Sequence, residues 1–224
     1  MQKTHPCRNF IFLLLVVLLP AVMLGCSATP AEEVVAEEVL LETDFSSRGE
    51  WPEKEDMEAG TAVQFTNGGY ELRSASDTYV LSFAKGVYED VELETAVRQL
   101  SPERNNAFGL VCRAGSRDSR SGYYFLISGD GLVSIRREER GFSSPIVDWT
   151  PKNAVRQGDR TNQLRAICVG DYLALYVNNQ LVAEGMDDHF TQGLAGFAAN
   201  GSEDGSVQVN FEYFTIRAAE ISRR

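Results

Sequence analysis

Three carboxylates, Asp90, Glu92 and Glu94, stand at alternate positions in Glu89-Asp90-Val91-Glu92-Leu93-Glu94. Side chains of an extended chain repeat every second residue, so all three share one strand face. Retaining glycoside cleavage needs two carboxyl groups about 5 Å apart, one as acid and one as nucleophile. The same row also makes an ordinary solvated strand face, because ionised acids stay where water reaches them. It is read as such a face. Other reaction chemistry has little to work with. The only histidines are His5 and His189, so a zinc site lacks ligands. His189, beside Asp187 and Asp188, reads as a loop residue. No Gly-x-Ser-x-Gly occurs. No catalytic residue is assigned, and no cofactor or metal is expected.

The four cysteines sort by position. Lys3 and Arg8 precede an apolar run from Phe10 to Leu24, broken only by Pro20, and small Gly25 precedes Cys26. A basic start, a short greasy segment and a small residue form a secretory signal. The run of about 15 residues falls short of the roughly 20 that a membrane span needs. Met23-Leu24-Gly25-Cys26 resembles a bacterial lipobox, with Met where Leu is usual. That resemblance implies that the Cys26 thiol is acylated, so that Cys26 heads a lipoprotein on the extracytoplasmic side of the cell envelope. An uncleaved anchor and an ordinary cleaved signal are the alternatives. Cys7 leaves with the signal, and Cys112 and Cys168 remain as an even pair in an oxidising compartment. Both share the apolar parity of their segments, with Phe108 and Leu110 on one and Leu164 and Ala166 on the other. They are expected to be bridged.

The whole chain of 224 residues carries 21 basic and 32 acidic side chains, a net charge of −11. Taking Lys3 and Arg8 away with the signal leaves 19 basic residues and a net charge of −13. Such a surface repels phosphate backbones, which argues against nucleic acid as a partner.

Residues 27–42, with the echo Ala-Glu-Glu-Val-Val-Ala-Glu-Glu-Val-Leu, read as a flexible acidic tether. From Thr43 onward the hydrophobic period is two. Val91, Leu93, Thr95 and Val97 alternate with Asp90, Glu92, Glu94 and Ala96, and Leu173, Leu175 and Val177 and then Val207, Val209 and Phe211 keep the same period. Turn signals recur at Asn67-Gly68-Gly69, Gly129-Asp130-Gly131, Gly170-Asp171, Asn178-Asn179 and Asn200-Gly201. The spacing predicts about a dozen short antiparallel strands in a sandwich or barrel. The expected organisation is a signal peptide over 1–25, a lipid-anchored tether over 26–42, one β-domain over 43–219 and a polar tail over 220–224.

Several pieces, taken in order, resemble the concanavalin A-like jelly rolls. They are Asp44-Phe45-Ser46 with Trp51, Asn67-Gly68-Gly69-Tyr70, Tyr88 to Val91, and Gly109 to Arg113 followed by Tyr123-Tyr124-Phe125. Asn162-Gln163-Leu164, Leu175-Tyr176-Val177-Asn178, Gly193 to Phe197 and Phe211-Glu212-Tyr213-Phe214 complete the series. The group resembled comprises the laminin-G-like and 3-keto-disaccharide-hydrolase-like domains of bacterial lipoproteins. The resemblance implies an all-β, two-sheet antiparallel jelly roll and a carbohydrate ligand. It does not extend to calcium, since the closing motif carries Glu212 where Asp is usual. Nor does it extend to family 16 glycoside hydrolases, whose Glu-x-Asp-x-x-Glu motif would need Asp at Val91.

One ligand face follows from assumed registers. If Leu93 faces Cys112, Glu92 and Arg113 are neighbours. If Gly129 to Gly131 form a three-residue hairpin, Tyr124 lies opposite Arg136. Glu92, Arg113, Tyr124 and Arg136 would then share the outer face of one sheet. A carboxylate, two guanidinium forks and a ring suit sugar hydroxyls. The expected function is a surface-anchored, non-catalytic glycan-binding or adhesion module. A glycoside-cleaving enzyme and a purely structural envelope domain are the alternatives.

Overall fold

The structure is a computed structural model that describes residues 29–116, 120–201 and 205–222. The signal peptide, Cys26 and the last two residues of the expected tail lie outside the described residues. The strands, in chain order, are β1 (Val34–Thr43), β2 (Lys54–Asp56), β3 (Thr61–Thr66), β4 (Gly69–Ser74), β5 (Val80–Phe83) and β6 (Val91–Gln99). Next come β7 (Ala107–Ala114), β8 (Gly122–Ile127), β9 (Leu132–Glu139), β10 (Phe142–Pro151) and β11 (Thr161–Val169). The chain closes with β12 (Tyr172–Val177), β13 (Gln180–Met186), β14 (Leu194–Asn200), β15 (Val207–Phe211) and β16 (Phe214–Ile221).

Two antiparallel sheets result. A six-stranded sheet runs β10-β9-β8-β7-β14-β5. A ten-stranded sheet runs β13-β12-β11-β6-β15-β4-β3-β2, with β16 beside β6 and β1 beside β16. The period-two residues meet between the sheets. Val91, Leu93 and Val97 of β6 and Leu173, Leu175 and Val177 of β12 face Phe108, Leu110 and Cys112 of β7 and Tyr123 and Phe125 of β8. Each such fully buried apolar side chain contributes about 1.5–3 kcal/mol. Phe197 stacks on Phe211 at 3.9 Å, and Phe45 on Tyr70 at 5.2 Å, closing one end of the core. Cys112 and Cys168 are joined by a disulfide that ties β7 of one sheet to β11 of the other. The Gly129-Asp130-Gly131 hairpin closes with Ser128 N–H donating to Leu132 O, so Tyr124 does pair with Arg136.

The expected tether is corrected. Val34 to Thr43 form a strand on β16, with Val34 opposite Ile221 and Thr43 opposite Phe214. The doubled Glu37-Glu38 sits in a register shift of that pair. Ladder hydrogen bonds to a strand some 180 positions away outweigh a local sequence without strand period. Ala31 N–H donates to the Glu184 carboxylate at 2.8 Å, so the sheet-bound chain begins there. Val34 and Ile221 pack over Ile167, Val169, Tyr172 and Ala174 on the outer face of the ten-stranded sheet. Glu220 and Ile221 are likewise the end of β16 and not a tail.

Candidate functional site on the outer face of the six-stranded sheet

The expected four-residue face is not assembled. Glu92 belongs to the ten-stranded sheet, because Leu93 pairs with Ala166 and Ile216 and not with Cys112. Leu93 and Cys112 both point inward, but from opposite sheets. Glu92 accepts from Arg165 at 2.9 Å and lies 3.6 Å from Arg217. Glu94 accepts from Tyr213 Oη and Arg217. Arg165 in turn lies 3.8 Å above the Tyr176 ring. The carboxylate row is thus a paired strand face, and Asp90 is bound to Arg113 and the Gly170 N–H.

Arg113 is corrected too. It is 2 % exposed, at φ 52°, where β7 and β14 shift register. This bulge turns its side chain off the sheet face to the end of the sandwich. There Nε donates to Glu89 O at 3.0 Å, Nη1 to Gly170 O at 2.7 Å and Phe190 O at 2.9 Å, and Nη2 to Asp90 Oδ1 at 2.8 Å and Cys168 O at 3.5 Å. All five N–H groups of the fork are used. Gly193 lies against this bulge, where a Cβ would come within 2.5 Å of the Arg113 carbonyl carbon.

Tyr124 has the expected register but is fully buried, with Val111, Leu126 and Phe83, in an apolar layer on the outer face of the six-stranded sheet. Tyr79 covers it edge-on, ring centres 5.4 Å apart, and the Tyr124 hydroxyl donates to Arg120 O. It is a floor and not an exposed stacking platform. Of the four residues, only Tyr124 and Arg136 come together.

What surrounds them is a cleft of about 360 Å³ lined by Tyr79, Asn106, Asp130, Arg136, Trp149 and Asn200, among others. Local irregularity puts these groups there. On β10, Val147 pairs with Ile135 and Thr150 with Val133, so Asp148 and Trp149 together oppose Ser134. That bulge leaves Trp149 half-buried against the Tyr124 layer and Asp148 in solvent. The Asn106 side chain holds the cleft rim, accepting from Gly129 N–H and donating to Glu103 O. A Cβ at position 129 would meet Gln99 Oε1 at 2.2 Å and the Arg104 Cα at 3.0 Å, so a side chain there would force its neighbours to shift.

Arg136 is held from both sides. Its Nε donates to Ser143 Oγ at 2.6 Å, and the carboxylates of Glu138 and Asp148 each lie 3.8 Å away. Nη2 has no partner among the described residues. Ser143 passes the contact on, donating to Glu138 Oε1. Glu138 is 6 % exposed, and burial pushes its carboxyl above the usual 4.5 against the pull of Ser143 and Arg136. The Tyr79 and Tyr124 phenols are pushed up by burial and then by the Glu138 charge. Tyr79 and Glu138 gave no signal in the sequence, since their roles depend on pairings across the sheet. His189 lies 3.2 Å from Glu139 in the loop after β13, away from the cleft. Among the described residues, no group of three or more His, Cys, Asp or Glu side chains is placed to hold a metal ion.

No protein-family model matches this sequence, and no curated protein matches it either. Solved structures do. The carbohydrate-binding module CBM66 from Bacillus subtilis is 19% identical, with a TM-score of 0.59 over 77% of this chain and 95% of its own. A Bacillus subtilis protein of unknown function with a galectin-like fold is 14% identical, with a TM-score of 0.65 over 85% and 100%. A β-glucanase of Bacillus licheniformis is 11% identical, with a TM-score of 0.58 over 82% and 98%. The fold is the concanavalin A-like jelly roll. At these identities the likeness establishes the fold alone. Within this jelly roll the Tyr79–Trp149 cleft lies on an outer sheet face, and the Arg113 node lies at one end of the sandwich.

Proposed function

We propose that the protein is a non-catalytic carbohydrate-binding module, carried on the extracytoplasmic side of the bacterial envelope by a lipid on Cys26. The cleft carries this reading. Two half-exposed rings, Tyr79 and Trp149, flank a guanidinium with a free N–H edge and an exposed carboxylate, Asp148. A sugar offers an apolar ring face to an indole, and vicinal hydroxyls to a guanidinium and a carboxylate. The CBM66 and β-glucanase likenesses support a glycan as ligand. The test is a glycan array followed by titration calorimetry. Trp149→Ala and Arg136→Ala should each weaken binding about tenfold, or 1.4 kcal/mol, with the fold intact. Unchanged affinity in both variants would move the site elsewhere.

Glycoside cleavage is the second reading, and Glu138 is the observation that favours it. A buried carboxyl with a raised pKa is the kind of group that serves as general acid. Asp148 stands on the opposite side of Arg136 from it. Turnover of a glycoside by the wild type that Glu138→Gln abolishes would establish the enzyme.

A further inference from the structure

Tyr79 also lines a second cavity, of about 450 Å³, with Thr78 to Phe83 on one side and Lys54, Ala59 and Thr61 to Val63 on the other. This second cavity follows β5, the outermost strand of the six-stranded sheet, which pairs only with β14. The free side of β5 is largely covered, since Val80, Ser82 and Phe83 are each no more than 9 % exposed, and Leu81 is the β5 residue that solvent reaches. Across that edge stand Pro52, Lys54 and the Thr61–Val63 stretch of β3, which make it a groove and leave no open edge for an added peptide strand. Tyr79, at the junction, rests edge-on against Tyr124, and its hydroxyl has no partner among the described residues.

We propose that the two cavities form one continuous groove that takes a linear oligosaccharide along β5, with Tyr79 beneath its middle. This rests on the carbohydrate reading above and adds the class of ligand, an internal stretch of a polysaccharide chain in place of a single terminal sugar. β5 alone spans about 13 Å, four residues at roughly 3.3 Å each, and the Trp149 cleft extends the track beyond it. Sugar hydroxyls both donate and accept, so they suit the polar side chains that line this track, among them Lys54, Thr61 and Thr78. The Tyr79 hydroxyl supplies one further contact at the junction, and Trp149 anchors one end.

Calorimetry of the full chain with oligosaccharide ladders of β-glucan, xylan, mannan and polygalacturonate, from two to six sugars, tests the groove. For the bound series, affinity should rise at least tenfold from the disaccharide to the hexasaccharide. Ala59→Trp, on an exposed turn lining the second cavity, should abolish that gain and leave disaccharide affinity within twofold. Trp149→Ala should weaken every length. Disaccharide and hexasaccharide affinities equal within twofold would overturn the groove and leave the carbohydrate reading standing. So would a length gain that survives Ala59→Trp. Binding to none of the ladders would overturn both.

Discussion

Replacing Arg113 by Met keeps the aliphatic stem and removes the fork. Three loops lose their common partner, since the carbonyls of Glu89, Gly170 and Phe190 all converge on this guanidinium. Each of these bonds, made at 2.7–3.0 Å by a charged donor, contributes about 1.5 kcal/mol. The Asp90 pair adds less than about 1 kcal/mol, because that side chain is 42% exposed and water takes over. The Cys168 contact, at 3.5 Å, adds little. The sum is about 5 kcal/mol, or roughly 10 to 20 °C in Tm for a domain of this size. Urea denaturation of the oxidised protein measures it. Arg113→Lys should recover only part of the loss, since an ammonium cannot reach acceptors spread around a planar fork. A loss below 1 kcal/mol for Arg113→Met would refute the view that this residue clamps the end of the sandwich.

Other expectations follow from separate features. Replacing both Cys112 and Cys168 by Ala should cost about 4 kcal/mol, because the bridge closes a separation of 56 residues between two sheets. Stability of that variant equal to the oxidised wild type's would contradict it. Glu138 binds its proton more tightly folded than unfolded, so its contribution is full below pH 4.5 and falls as pH rises through the raised value. Glu138→Gln should flatten that part of the stability profile, and an unchanged slope in thermal melts from pH 4 to 8 would show that the group titrates normally. Cys26→Ser should stop acyl labelling and release the protein from the membrane fraction; persistent labelling would end the lipoprotein reading.

Which residues face inward was legible in the sequence, because a period of two leaves a strand only two faces. Val91, Leu93 and Val97, Phe108 and Leu110, and Tyr123 and Phe125 all reach the core as their alternation requires. The disulfide was legible for the same reason. Which sheet a strand joins was not, since inward residues of opposite sheets look alike along the chain. Leu93 and Cys112 therefore looked like cross-strand partners, and Glu92 was placed beside Arg113. The bulges at Arg113 and at Asp148-Trp149 were hidden as well, because one extra residue reverses parity without leaving a mark in composition. β1 was missed because its stability comes from β16, at the far end of the chain.

The early start of the sheet limits how far the domain can travel. Ala31 is already latched to Glu184, five residues after Cys26. Five extended residues reach about 17 Å, little more than half the thickness of a bilayer's hydrocarbon core. A domain lipidated at Cys26 is therefore moored at the bilayer surface and cannot roam above it. The mooring point lies on the side of β12 and β13, where Glu184 also accepts from the Tyr172 hydroxyl. The outer face of the other sheet, with Tyr79 and Trp149, lies across the sandwich from that attachment. On such a mooring a few residues of chain set the distance between the sandwich and the bilayer.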